Sequence, residues 1–323
     1  MGIVHATTSR IRRKLAGLGR FWKVKRLIGS TVGPVSSLKP LLRSFTEQEW
    51  FWLNTEGRRQ FPELRALLPG LPDEQIQSGF TGATGDVTLR EGFNAYQLFK
   101  RLFEGNVGTF EGRRTILDFG CGWGRIIRFF LKDVEGENLW GIDCFPEMIQ
   151  LCEETNKFSR FKLIDPRPMT PFEGDTFDMI YCYSVFSHLS EDIHREWLDE
   201  FARILKPGGL LVATTQPREL IERCADLRAD PKKQESPWLR LIASAFPDRD
   251  QSLKDYDDGK FCHQGTGDGG GAFLKSSFYG ETCIPKGYVL NHWTKNFTFV
   301  DFITDRAWLP QNVIVVTKPL KTR

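Results

Sequence analysis

The stretch Thr115-Ile-Leu-Asp-Phe-Gly-Cys-Gly-Trp-Gly-Arg-Ile-Ile-Arg-Phe-Phe-Leu131 constrains this chain more than any other. Ile116, Leu117 and Phe119 form a short apolar run that ends in alternating glycines, Gly120, Gly122 and Gly124. Ile126, Ile127, Phe130 and Leu131 follow at helical spacing. The pattern predicts a buried strand, a tight turn and a helix start. Glycine is needed where a chain reverses sharply and where a ligand must come close to the backbone. Such a turn aims N–H groups into the crevice at the carboxyl end of a parallel sheet, where open α/β folds bind their ligands.

The spacing narrows the ligand. A dinucleotide turn requires G-x-G-x-x-G; here the pattern is G-x-G-x-G, and Arg125 holds the place of the third dinucleotide glycine. Asp118 stands two positions before the first glycine. The text D-F-G-C-G-W-G resembles the first motif of class I S-adenosylmethionine-dependent methyltransferases. That resemblance implies a cofactor cradle made by Asp118, Gly120, Cys121, Gly122 and Gly124. The competing readings are a ligand-free strand-to-helix turn and a nicotinamide oxidoreductase, which Arg125 disfavours.

Later segments resemble the same family in the right order. Asn138-Leu-Trp-Gly-Ile-Asp143 reads as a second strand tipped by a carboxylate, 19 residues beyond Gly124. A carboxylate there can accept both hydrogen bonds of a ribose diol; helix capping by Asp143 is the structural alternative. Phe145 or Met148 could cover an adenine ring. Phe161-Lys-Leu-Ile-Asp165 reads as the third strand, and the resemblance puts Asp165 at the adenine amino group. Thr176-Phe-Asp-Met-Ile-Tyr-Cys reads as the fourth strand, and a helix follows over 190–205 with Ser190 as its N-cap. Lys206-Pro-Gly-Gly209 stops that helix ahead of a fifth strand, Leu210–Thr215. Cys144, Tyr183 and Ser184 complete the cofactor contacts that the resemblance implies. The fold expected is α/β: a Rossmann-like seven-stranded sheet in the order 3-2-1-4-5-7-6, its last strand antiparallel, with helices on both faces. Asn296–Ile303 and Asn312–Lys318 supply the closing hairpin.

Around this core the chain divides into three expected parts. Residues 1–45 form a basic amphipathic extension and linker, 46–110 a helical cap, and 111–323 the methyltransferase domain with a substrate or lid insertion at about 217–290. Residues 1–46 carry ten Lys/Arg and no Asp or Glu. Ile11, Leu15, Leu18 and Trp22 make one helical stripe among Arg12, Arg13, Lys14, Arg20, Lys23, Lys25 and Arg26. This stripe either packs on the main domain or lies on an anionic membrane surface through residues 10–28; an organelle transit peptide is a further reading. Thr46 and Glu49 have capping-box spacing. Residues 79–92 read as a loop ahead of a helix, with Phe80, Thr81 and Gly82 near the cofactor's methionine end.

The net charge of +3 arises from that basic start, so no uniformly basic nucleic-acid binder is implied and no specific nucleic acid is expected. Seven cysteines without C-x-x-C spacing point to reduced thiols, a cytoplasmic setting and no metal site. The implied cofactor is S-adenosyl-L-methionine. Its acceptor is narrowed by absence: Tyr181-Cys-Tyr-Ser184 lacks the Pro-Pro-Tyr text of nucleobase amino-methyltransferases and the Pro-Cys of cytosine-C5 enzymes. A small-molecule, saccharide or lipid-linked hydroxyl remains, and a hydroxyl acceptor needs a base. His188, just after the fourth strand, is the candidate, with Glu191 and His263 in reserve. A non-catalytic cofactor-binding scaffold with a membrane-surface N-terminus is the alternative.

Overall fold

The computed structural model of the chain describes residues 19–29, 39–266 and 274–321. Nine strands are found among these residues: β1 Ile116–Phe119, β2 Leu139–Asp143, β3 Arg160–Leu163, β4 Phe177–Cys182, β5 Leu205–Thr215, β6 Cys262–Gly265, β7 Gly280–Cys283, β8 Thr298–Ile303 and β9 Asn312–Thr317. Seven form one sheet in the order β3-β2-β1-β4-β5-β9-β8, and β6 pairs with β7 apart from it. With that pair set aside, the order is 3-2-1-4-5-7-6. β1 to β5 run parallel, and the last strand, β9, is antiparallel to both neighbours. Connections leave β1 in opposite directions on its two sides, so the crevice opens at the carboxyl ends of β1 and β4.

Parallel strands covered on both faces read as unbroken apolar runs. All of Ile116–Phe119 is buried, as is all of Phe177–Cys182. Alternate residues feed two cores. Ile116, Met179, Tyr181, Leu210 and Val212 join one layer with Phe93, Phe99, Phe103 and Phe129. Leu117, Phe119, Ile180, Cys182 and Leu211 join the other with Ile193, Trp197, Phe201 and Trp293. At ~1.5–3 kcal/mol for each large side chain taken from water, these layers anchor every loop at the crevice. Asp178 ties the lower rim together: it accepts from Thr115 N at 2.9 Å, Lys206 Nζ at 2.7 Å and Arg114 Nη1 at 3.1 Å.

The helices that position the site are α1 Glu47–Trp52, α2 Glu74–Thr81, α3 Gly85–Asn106, α4 Pro146–Thr155, α5 Glu191–Ile204, α6 Glu219–Ala229, α7 Pro237–Ser244, α8 Arg249–Asp257 and α9 Lys286–His292. Thr46 and Glu49 form the capping box on α1. The stretch 79–92, expected as a loop, is instead the end of α2 and the start of α3. Asp73 caps α2 by accepting from Ile76 N at 2.8 Å, and Gly82, at φ 70°, ends it in the left-handed conformation. The buried run Thr88, Leu89, Gly92 and Phe93 begins the inward stripe of α3 before Ala95.

Four further readings are corrected. Residues 19–29 are helical, but Val24 and Leu27 face inward while Trp22 is 68% exposed. Lys23 is held by Glu49 at 2.7 Å. Ser190 occupies the N-cap of α5 without a side-chain capping bond. β5 begins at Leu205, because Lys206–Gly209 bulge within it opposite Asp178. β3 ends at Leu163, two residues before Asp165. The expected helix 11–18, most of the linker 29–40 and the glycines at 267–271 lie outside the described residues.

The segment between β5 and β8 has its own small core, in which Leu220, Ile221, Cys224, Leu227, Ile242 and Phe246 meet Cys262 and Cys283. Arg228 closes it by donating to the carbonyls of Ala243, Ala245 and Phe246 at 2.5–2.7 Å. This core holds the β6–β7 pair against the loop that follows β4.

Candidate active site

The glycine turn is sterically dictated. Gly120, Gly122 and Gly124 have φ of 70°, 50° and 74°, a region costly for other residues. A Cβ on Gly120 would lie 2.3 Å from Val185 Cγ2. A Cβ on Gly122 would find nothing nearer than Phe80 at 3.8 Å, so that backbone faces open space. The turn is fastened to β2 by bonds from Gly120 N at 2.8 Å and Cys121 N at 3.1 Å to Ile142 O.

Two carboxylates meet this turn. Asp143, at the tip of β2, accepts from Gly122 N through Oδ2 at 2.8 Å and from Phe145 N through Oδ1 at 3.0 Å. A carboxylate offers about four acceptor sites, so both oxygens keep lone pairs for a diol. Burial raises its pKa against the hydrogen bonds from Gly122, Phe145 and Cys144. Asp118 is deeper: its Oδ2 has no hydrogen-bond partner among the described residues. Burial, with Asp143 close by, pushes its pKa up to about 7.

Between these groups and the end of β4 lies a cavity of about 230 Å³. That is just below the ~300–1,000 Å³ of typical small-molecule clefts, so one nucleoside-sized ligand uses most of it. Asp118, Gly120, Cys121, Gly122, Asp143, Cys144, Tyr183, Ser184 and His188 all line it, as do Phe80 and Thr81. Gly124 and Asp165 do not. Gly124 is required by its φ of 74°, since a Cβ there would make only an ordinary contact with Cys152 Sγ at 3.5 Å. Asp165 turns back to accept from Arg167 N at 2.8 Å, while Ile164 and Pro166 form that wall instead. Phe145 lines the cavity and Met148 does not. An exposed glycine backbone, a carboxylate with free lone pairs and an apolar wall suit the adenosyl group of S-adenosylmethionine.

At one end Arg125, Glu91 and Tyr183 interlock. Arg125 Nη1 lies 3.3 Å from Glu91 Oε2, the Tyr183 hydroxyl donates to Glu91 Oε1, and the guanidinium lies 5.2 Å from the Tyr183 ring centroid. Ser184 is held in the left-handed region at φ 58°. Its N–H donates to Thr214 Oγ1 at 2.7 Å, and its Oγ accepts from Gln311 at 3.0 Å. Strained residues fixed in this way cluster at functional sites.

His188 follows on the same loop. Its Nδ1 is 2.8 Å from Gly280 O. A carbonyl only accepts, so the neutral ring carries its proton on Nδ1 and leaves Nε2 as an acceptor. Tyr279 stacks on the ring at 5.1 Å, and Glu281 Oε1 lies 3.6 Å from Nδ1. Burial raises the Glu281 carboxyl, and His188 works against that. The two reserves lie outside the cavity lining. Glu191 accepts from Tyr288 at 2.7 Å. His263 is tied to Thr282 at 2.8 Å, and burial lowers its pKa to about 4. Sequence reasoning missed Glu91, Tyr279, Glu281 and Gln311, which reach the site from sequence-distant elements and carry no local signature. Among the described residues no three His, Cys, Asp or Glu side chains gather as a metal site.

A family model described as a methyltransferase domain matches residues 116–209. The chain is 30% identical over 145 residues to the uncharacterized methyltransferase YdaC of Bacillus subtilis, covering 43% of this chain and 75% of that protein. It is 31% identical over 109 residues to the tRNA(Thr) (cytosine(32)-N(3))-methyltransferase of Saccharomyces cerevisiae, covering 30% of this chain. The chain spans 17%, 40% and 36% of the length of three of the curated relatives it matches. Among solved structures, an S-adenosylmethionine-dependent methyltransferase from Mesorhizobium loti is similar, with a TM-score of 0.45 and 13% identity over 71% of this chain and 98% of that one. The chain belongs to the class I S-adenosylmethionine-dependent methyltransferases. Methyltransferases of this fold use S-adenosylmethionine as methyl donor.

Proposed function

We propose that this protein methylates an oxygen atom of a small molecule, saccharide or lipid-linked acceptor. The observation that carries this reading is His188, whose bond to Gly280 O leaves Nε2 free to take a hydroxyl proton at the cavity. Asp143 would accept from the ribose hydroxyls, and Gly120 to Gly122 would lie along the nucleoside. Arg125 and Glu91 offer opposite charges to an amino-acid end. The bound cofactor supplies a methyl group on a positively charged sulfonium, already a good leaving group. The protein's own work is then orientation, exclusion of water and removal of one proton. Ser184 and the apolar wall of Leu189, Phe278 and Leu274 bound the space left for an acceptor.

The yeast tRNA enzyme's likeness extends over 30% of this chain. It covers 17% of that protein, too little to carry a nucleobase acceptor. Methyl release from labelled S-adenosylmethionine, measured across alcohols, sugars, amines and tRNA, tests the proposal. Turnover with hydroxyl acceptors supports it; turnover confined to amines or tRNA refutes it.

A second element of the proposal is membrane-surface contact through residues 10–28. Trp22 and Phe21, 68% and 39% exposed, support it together with the neighbouring Lys25. Co-sedimentation with anionic vesicles should fall when Phe21 and Trp22 are replaced by serine; equal sedimentation removes the idea.

A further inference from the structure

Glu281 is a buried carboxylate with little to hold it. It sits on β7, is 3% exposed, and among the described residues Gln216 Nε2, at 3.2 Å, is the one side chain that donates to it. A charge in such a place is costly unless a partner meets it. The nearest cation-forming group is the His188 ring, with Nδ1 3.6 Å from Oε1. We infer that Glu281 is a positioning residue, whose carboxylate keeps the His188 ring in register and supplies the countercharge when that ring takes a proton from the acceptor hydroxyl. This rests on reading His188 as the base.

The backbone makes the pair persistent. Gly280 N donates to His188 O at 2.8 Å, and Thr282 N donates to Ser187 O at 2.8 Å. The residue between them, Glu281, is therefore locked beside the loop after β4. The stacked Tyr279 ring covers one face of His188. Of the other titratable groups nearby, His263 on β6 stays neutral, since burial lowers its pKa to about 4. Tyr279 is kept in its phenol form, because burial and Glu281 raise its pKa. Among the described residues, Glu281 is therefore the one negative charge that meets the imidazole from the β6–β7 side.

The balance is simple. The acceptor oxygen uses a lone pair to bond the methyl carbon, the carbon–sulfur pair stays with the departing thioether sulfur, and the O–H pair stays on oxygen as its proton moves to His188 Nε2. The ring then holds one positive charge, delocalised over both nitrogens, against the Glu281 carboxylate in a partly buried site where charges attract strongly. Release of the proton to water resets the pair.

The test needs no acceptor. The chain has five histidines, so ring carbon–proton NMR signals can be followed against pH in the full-length protein, with the His188 signal identified by its loss in His188→Ala. In Glu281→Gln the His188 midpoint should move down by about one pH unit, since an opposite charge at this range favours the charged ring by ~1–3 units. Glu281→Asp should fall between the two. If Glu281→Gln fails to fold, Glu281→Asp carries the test, and any downward shift supports the pair. Identical midpoints in wild type and the folded variants would overturn the inference. Methyl transfer by His188→Ala judges the base separately: full activity sinks the base reading, whatever Glu281 does to the ring.

Discussion

One wall of the cavity, from Asp118 to Phe145, is built around the glycine turn and two buried carboxylates joined across about twenty-five residues of continuous chain. The opposite wall is made of side chains: Tyr183, Ser184 and His188 after β4, held by Gly280 from 92 residues away and by Gln311 from 127 away. The first wall presents close-approach glycine backbone and acceptor oxygens, the equipment for holding a nucleoside. The second presents an imidazole, an aromatic ring and a hydroxyl, the equipment for choosing and deprotonating an acceptor. A cofactor wall can serve many acceptors, and an acceptor wall built by an insertion can change without disturbing it.

If the division of labour is real, damage to one wall should leave the other's task intact. The largest effect is expected from His188→Ala. Methyl transfer to a hydroxyl acceptor should fall ~10²–10⁴-fold, the usual worth of general base catalysis, while calorimetric binding of S-adenosylhomocysteine stays unchanged. Loss of both together would break the comparison.

A second prediction concerns the cofactor wall alone. Burial pushes the Asp118 carboxyl up to about 7 in the folded chain, against about 3.8 for an ordinary aspartate. Between those values the native state keeps a proton that the unfolded chain has released, so Asp118 makes stability fall as pH rises through that window. Asp118→Asn removes the slope. The variant should match wild type near pH 4 and exceed it by up to ~4 kcal/mol at neutral pH, at about 1.4 kcal/mol per pKa unit. Denaturant unfolding at several pH values measures this, and a constant gap would contradict it.

The contrast between the walls also explains what the sequence made readable. The glycine turn, the carboxylate at 143 and the sheet order follow from local patterns: apolar runs, positive-φ glycines and an acid at a strand tip. Asp165 lies off the cavity lining because Pro166 and Pro168 turn the chain away just after β3, and no periodicity extends across such a break. The 79–92 stretch was misread because its glycines serve helix ends: Gly82 closes α2, and Gly85 opens α3 with its N–H held by Gln77. Glu281 and Gln311 could not be read at all. Glu281 lies in a short strand and Gln311 in the bend just before β9, and the meaning of each comes only from what the tertiary fold sets against it.

The most direct measurement is a calorimetric titration of S-adenosylhomocysteine into the full-length protein and into Asp143→Asn. The account predicts one site per chain in wild type. It predicts binding ~10–100-fold weaker in the variant, as expected when a charged acceptor of two hydroxyls becomes a neutral amide and ~1.5–3 kcal/mol is lost. Absence of binding by the wild type, or equal binding by both, would contradict it.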